Sequence, residues 1–241
     1  MRIPRTVPFA LLASAILYGA AMFSRYALPA MAWEAAVGIP HALVARIFGY
    51  VVLASLSLAA MALCRDIPWS EFGFLRGRSR WLGLGGLAIA LGMASSLIIK
   101  SSGGAGLDDA MAGISPTGVL VTLLLATCVE ELFVRGWIQG LIAPSGQQKM
   151  RLRGNAISVP VATSALTFGA MHLSLTLTKI DAITIGSILA FTTLLGLLAG
   201  LARERTGGLL PAIGTHLAGN VGGILGGIAY AIATGATAHA G

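Results

Sequence analysis

An all-α, polytopic transmembrane helical bundle is the fold class this sequence predicts, and three observations predict it. The 241 residues are 56% hydrophobic and only 10% charged, where a soluble domain carries about 25% charged residues. The mean hydropathy is +0.85. Apolar runs long enough to cross a bilayer, which takes about 20 helical residues, recur along the chain. A single integral membrane domain over 1–241 follows.

Seven spans are predicted, roughly at 7–24, 42–64, 82–99, 117–142, 156–175, 182–202 and 209–234. The first has a basic start, and Ala30-Met31-Ala32 after it resembles a leader-peptidase site. Arg25 and Tyr26 intervene and more spans follow, so an uncleaved helix is expected. The second span stops before Arg65, the third before Lys100 and the sixth before Arg203. The seventh is entered through TGGLLP (206–211), where Pro211 suits a late helix start. An eighth short segment, amphipathic around 143–155, is compatible with this map. Gly196 with Gly200, Gly219 with Gly223, and Gly222 with Gly226 are small residues at four-residue spacing, which lets membrane helices approach closely.

The formal charge of +7 would point to nucleic acid in a soluble protein. Here the basic residues sort into alternate loops, so no nucleic-acid partner is expected. One set of loops holds Arg2, Arg5, Arg65, Arg76, Arg78, Arg80, Lys149, Arg151, Arg153, Arg203 and Arg205; the other holds Arg25, Arg46, Lys100 and Lys179. Eleven against four puts the N-terminus in the cytoplasm and the C-terminus outside. The loop 65–81 reads as an ordinary positive-inside loop, with contact to anionic lipid as the other reading. Cys64 and Cys128 read as small apolar core residues, since no CxxC or Cys/His cluster accompanies them.

Against this background the stretch LLATCVEELFVRGWIQG (124–140) stands out. Ionisable groups inside spans mark function by default. They are Glu130, Glu131 and Arg135 in the fourth span, His172 in the fifth and His216 in the seventh, with Asn220 one turn later. Glu131 and Arg135 are i and i+4 and can pair. Glu130 points about 100° away and is left for chemistry. Phe168 and His172 repeat the i, i+4 spacing. Taken singly, each has a structural reading: a packing ion pair, a histidine on a carbonyl, an asparagine bridging helices, a phenylalanine in the core. Together, three helices each contribute polar groups to a bundle nearly empty of them.

Three short motifs carry a resemblance. EELFVR (130–135) resembles the EExxxR motif of the CAAX protease and bacteriocin-processing (CPBP, or Abi) family of intramembrane glutamic endopeptidases, related to the type II CAAX prenyl endopeptidases. FGAMH (168–172) resembles its FxxxH motif and HLAGN (216–220) its HxxxN motif, in the same order, over a CPBP-like core of about 117–225. The resemblance implies that Glu130 activates the attacking water, assisted by His172. It implies that His216 and Asn220 stabilise the oxyanion, with Glu131 and Arg135 supporting. Peptide hydrolysis needs such a base and such donors. No cofactor is implied. The substrate would be a membrane-anchored or hydrophobic peptide or protein, cleaved near its end in the bilayer, and the small chain resembles a prokaryotic, cell-membrane member.

Other readings stay open at this point. Zinc held by Glu130, His172 and His216 would make a metal-dependent intramembrane protease, although the HExxH spacing is absent. A non-catalytic scaffold or immunity protein of the same fold is another, and a proton-coupled transporter a third. Repeat symmetry that would mark the last is absent from the sequence.

Overall fold

A computed structural model of the chain describes residues 6–27, 41–74, 82–104, 116–143, 149–152, 155–177 and 180–235. Ala30–Ala32, Arg76, Arg78, Arg80 and Lys179 lie outside the described residues. Helices α1 (Thr6–Ala27) and α2 (His41–Leu63) pack on each other, followed by a 3₁₀ turn, Trp69–Phe72, and α3 (Leu82–Ser101). α4 (Pro116–Glu131) passes directly into a π-helical stretch, Leu132–Gln139, and a last α turn, Gly140–Ile142. An antiparallel hairpin, β1 (Lys149–Leu152) with β2 (Asn155–Ser158), leads into α5 (Val159–Met171), which ends in a 3₁₀ turn, His172–Leu177. α6 (Ala182–Thr206) and α7 (Leu209–Thr234) complete the bundle.

Each of the seven predicted segments overlaps one of the helices α1–α7. Five of them, α1, α2, α3, α6 and α7, contain windows long and apolar enough to cross a membrane. Only 22–33% of each window is buried within the protein. The remaining faces carry large apolar side chains such as Phe9, Leu12, Ile16, Leu87, Leu210 and Ile232. That much exposed hydrocarbon is a liability in water and the natural surface in a bilayer, so the protein is integral to the membrane. α4 and α5, with 16 and 13 α-helical residues, are the two irregular elements. They carry two of the three motifs.

Several expectations change. Lys149–Leu152 and Asn155–Ser158 pair as antiparallel strands, so the short amphipathic segment expected around 143–155 is extended chain at 149–152 and 155; residues 144–148 and 153–154 lie outside the described residues. The fifth helix starts at Val159, where Ser158 caps it by accepting from Val161 N, and its α-helical part stops at Met171. The sixth helix runs on to Thr206, so Arg203 is buried instead of lying in a loop, and its guanidinium donates to the Glu71 carbonyl. Cys128 is exposed and Cys64 half-buried, so neither is a core residue. Lipid is as apolar as a protein core, and a thiol on the outer face of α4 costs little.

The core is the second half of the α4 run, buried at every residue from Phe133 to Ile142. Phe72 from the 3₁₀ turn, Leu53 and Met61 from α2, Phe168 from α5 and Leu195 from α6 belong to the same cluster. Two end devices set the helices around it. Asp181 caps α6, with Oδ1 accepting from Ile183 N and Thr184 N at 2.9 Å each. Hydrogen bonds from Thr184 hold its carboxyl below the usual range. At the other end Gly207, at φ 78°, closes α6 in the left-handed conformation and turns the chain into α7.

The most extensive helix contact joins α7 to α3. There Gly222 lies so close that a Cβ would collide with the Ile89 carbonyl oxygen, and one at Gly226 would stand 2.7 Å from Met93 O. The predicted small-residue faces are therefore real contacts. Gly222→Ala is expected to force α3 and α7 apart and to cost roughly 1–3 kcal/mol, read as a lower thermal unfolding midpoint in detergent. An unchanged midpoint would contradict this account of the contact.

Candidate active site

The site forms where α4 gives way to the π-helical stretch. Such stretches, with their i→i+5 bonding, occur often at functional sites. Arg135 lies within it, fully buried. Its Nη1 donates to Glu131 Oε1 at 2.9 Å and its Nη2 to the Gly196 carbonyl of α6 at 3.0 Å. The guanidinium also sits 4.7 Å from the centre of the Phe168 ring, a cation–π distance. The expected Glu131–Arg135 pair is thus formed, and it is tied to two further helices.

Glu131 does more than pair with arginine. The same Oε1 receives His216 Nδ1 at 2.7 Å. A carboxylate only accepts, so the proton of the ring is on Nδ1 and Nε2 is turned the other way. Nε2 stands 3.8 Å from Glu130 Oε2. One turn along α7, Asn220 Nδ2 donates to Thr127 Oγ1 at 3.2 Å. Residues 216 and 220 therefore meet 131 and 127, so α7 and α4 run antiparallel with two matched polar rungs. Glu131 Oε2 and Arg135 Nε, both buried, have no hydrogen-bond partner among the described residues.

Phe168 links the remaining groups. It is buried, and its ring meets His172 edge-on at 5.3 Å and His216 at 5.1 Å. His172 Nδ1 lies 3.0 Å from the Phe168 carbonyl, an acceptor, which assigns the proton to Nδ1. This arrangement settles a mismatch in depth between His172 and His216 that the predicted spans imply. Ser158 donates to Glu204 Oε2 at 3.0 Å, so α5 starts level with the end of α6. Thirteen residues of helix then rise only ~20 Å, well short of the ~30 Å core. His172, half-buried, accordingly stands one ring away from His216.

The structure brings Glu130, Glu131, Arg135, Phe168 and His216 into direct contact, and Asn220 onto the next rung. His172 joins them through Phe168. Two tyrosines escaped the sequence reading. Tyr50 of α2 donates its hydroxyl to Glu130 Oε1 at 3.2 Å. Tyr18 of α1 donates to the Met171 carbonyl at 3.2 Å and stacks on Phe133. A phenol in an apolar span needs a polar partner, and that was the available clue. Among the described residues, no group of three or more His, Cys, Asp and Glu side chains stands ready to hold a metal ion.

Compared with known families, residues 113–222 match the family model described as type II CAAX prenyl endopeptidase Rce1-like. This segment is Rce1-like. It is the family to which the three motifs pointed, and the match supports a protease, hence a hydrolase, at the level of class. The Rce1-like segment contains Glu130, Glu131, Arg135, Phe168, His172, His216 and Asn220. Tyr18 and Tyr50 precede it. No curated protein and no solved structure matches the chain.

Proposed function

We propose that this protein is an intramembrane glutamic endopeptidase, cleaving a peptide bond near the end of a membrane-associated peptide or protein. In this reading it sits in a prokaryotic cell membrane with its N-terminus in the cytoplasm and its C-terminus outside. The observation that carries the proposal is the constellation at the α4–α7 contact. One glutamate, Glu131, is committed to Arg135 and His216, while its neighbour Glu130 faces the second nitrogen of the same imidazole. Two adjacent carboxylates thus have different surroundings, which is how one site supplies an orienting group and a base.

The proposed reaction uses these groups in order. Glu130 takes a proton from water as the water oxygen attacks the peptide carbonyl carbon, and the carbonyl π electrons move onto oxygen. His172, with its proton on Nδ1, offers the Nε2 lone pair to orient that water. The oxyanion is met by the Asn220 amide, which has a second N–H beyond the one given to Thr127. His216 contributes when Nε2 carries a proton, and the Glu131 carboxylate behind the ring balances the resulting imidazolium. On collapse the C–N bond breaks, and the leaving amine takes the proton held by Glu130. No serine or cysteine nucleophile and no cofactor takes part.

Purified protein in lipid nanodiscs, offered a library of membrane-tethered peptides, tests this directly. Cleavage at defined bonds that persists in EDTA and 1,10-phenanthroline is the expected result. Cleavage lost on chelation and restored by zinc would replace the glutamic mechanism with a metal-dependent one.

A further inference from the structure

We infer that Tyr50 is a positioning residue for Glu130, supplied by a helix outside the Rce1-like segment; the inference rests on reading Glu130 as the base. Tyr50 lies in the middle of α2, where the only charged residue is Arg46, exposed one turn earlier. Its hydroxyl reaches across to Glu130 Oε1 at 3.2 Å. From the other side, His216 Nε2 of α7 stands 3.8 Å from Oε2. The two carboxylate oxygens are thus addressed by two different helices. Arg135, the nearest cation on the same run, is bonded to Glu131 and Gly196 O, and Glu131 is the only other carboxylate beside it on α4.

The consequence is orientational. A carboxyl group held at one oxygen only can rotate about its last torsion, which is broad and soft. A phenol on Oε1 fixes that torsion and leaves Oε2 on the His216 side, where the water and the carbonyl it attacks would meet. A hydrogen bond to the ionised form also favours that form, and a phenol–carboxylate bond is of the stronger, charge-assisted kind. Tyr50 therefore keeps Glu130 aimed. The helices preceding the matched segment then belong to the catalytic unit and are more than membrane anchors.

The test uses the full chain in nanodiscs and infrared difference spectra across a pH titration, with the Glu130 carboxyl band identified as the one lost in Glu130→Gln. In Tyr50→Phe, which keeps the ring, the C=O stretch of that band is expected to move to higher wavenumber as the hydrogen bond to Oε1 is lost. Incorporating 3-fluorotyrosine at position 50, a more acidic phenol and stronger donor, should move the band the opposite way. Tyr230→Phe, on the far part of α7, should leave it in place. On a tethered peptide that the wild type cleaves, Tyr50→Phe should lower kcat about 5–50-fold with KM little changed, the pattern of a lost transition-state interaction. A band unchanged in both Tyr50 variants would overturn the inference. An infrared shift without cleavage of any peptide by the wild type would remove the protease reading and leave the Tyr50–Glu130 coupling standing.

Discussion

Replacing Arg135 by methionine is expected to destabilise the bundle by about 3–5 kcal/mol, the usual result of deleting one partner of a buried ion pair. The guanidinium is fully buried and joins three helices: Glu131 on its own run, the Gly196 carbonyl on α6 and the Phe168 face on α5. Its loss leaves the Glu131 carboxylate in the core with His216 alone. Adding Glu131→Gln should recover part of the stability, because no bare charge then remains, and the two substitutions should be strongly non-additive. Activity should not return, since His216 would have lost the carboxylate that orients it. Unfolding in mixed detergent micelles reads the stability. A single Arg135→Met variant as stable as wild type would show that the pair is incidental to the fold.

Glu130→Gln is expected to behave in the opposite manner, with a small effect on stability and a large one on turnover. The side chain is 17% exposed and pairs with no cation of its own helix. Glutamine keeps a carbonyl oxygen for the Tyr50 hydroxyl and can direct its amide toward His216 Nε2. What it lacks is the ability to take a proton from water. Removing a general base typically lowers the rate roughly 10²–10⁴-fold, so cleavage should fall to background while the protein stays folded in the membrane. Glu131→Gln alone should lower both activity and stability. That contrast between neighbouring glutamates is the kinetic signature of their separate roles.

Much of the fold was legible because hydrocarbon-spanning helices announce themselves by length and composition alone. The irregular parts were hidden for a physical reason. Hydrophobic periodicity reveals a helix with a wet face, and from Phe133 to Ile142 there is no such face, so a π-helical stretch reads like any other apolar turn. The shortening of α5 depends on where its chain leaves the α-helix at His172, in a sequence, MHLSLTL, without proline or glycine. Arg203 looked like a loop residue because its partner, the Glu71 carbonyl, is remote in sequence.

The site was partly readable. The Glu131–Arg135 pair follows from i, i+4 spacing, and it is present. That the same Glu131 oxygen also holds His216 depends on how α4 and α7 pack, which spacing along one helix cannot reveal. Tyr50 resembles any aromatic residue of a membrane helix until α2 is placed against α4. Residues contributed from outside a recognisable motif are therefore the ones that sequence reading misses here.

The central claim, that Glu130 drives peptide hydrolysis, is tested most directly by mapping N- and C-terminal peptide ends in cells expressing wild type or Glu130→Gln at equal levels in the membrane. The account predicts a set of new ends present only with wild type, near the termini of membrane-associated chains. Identical ends in the two cultures, with both proteins folded and inserted, would contradict it and assign the fold a non-catalytic role.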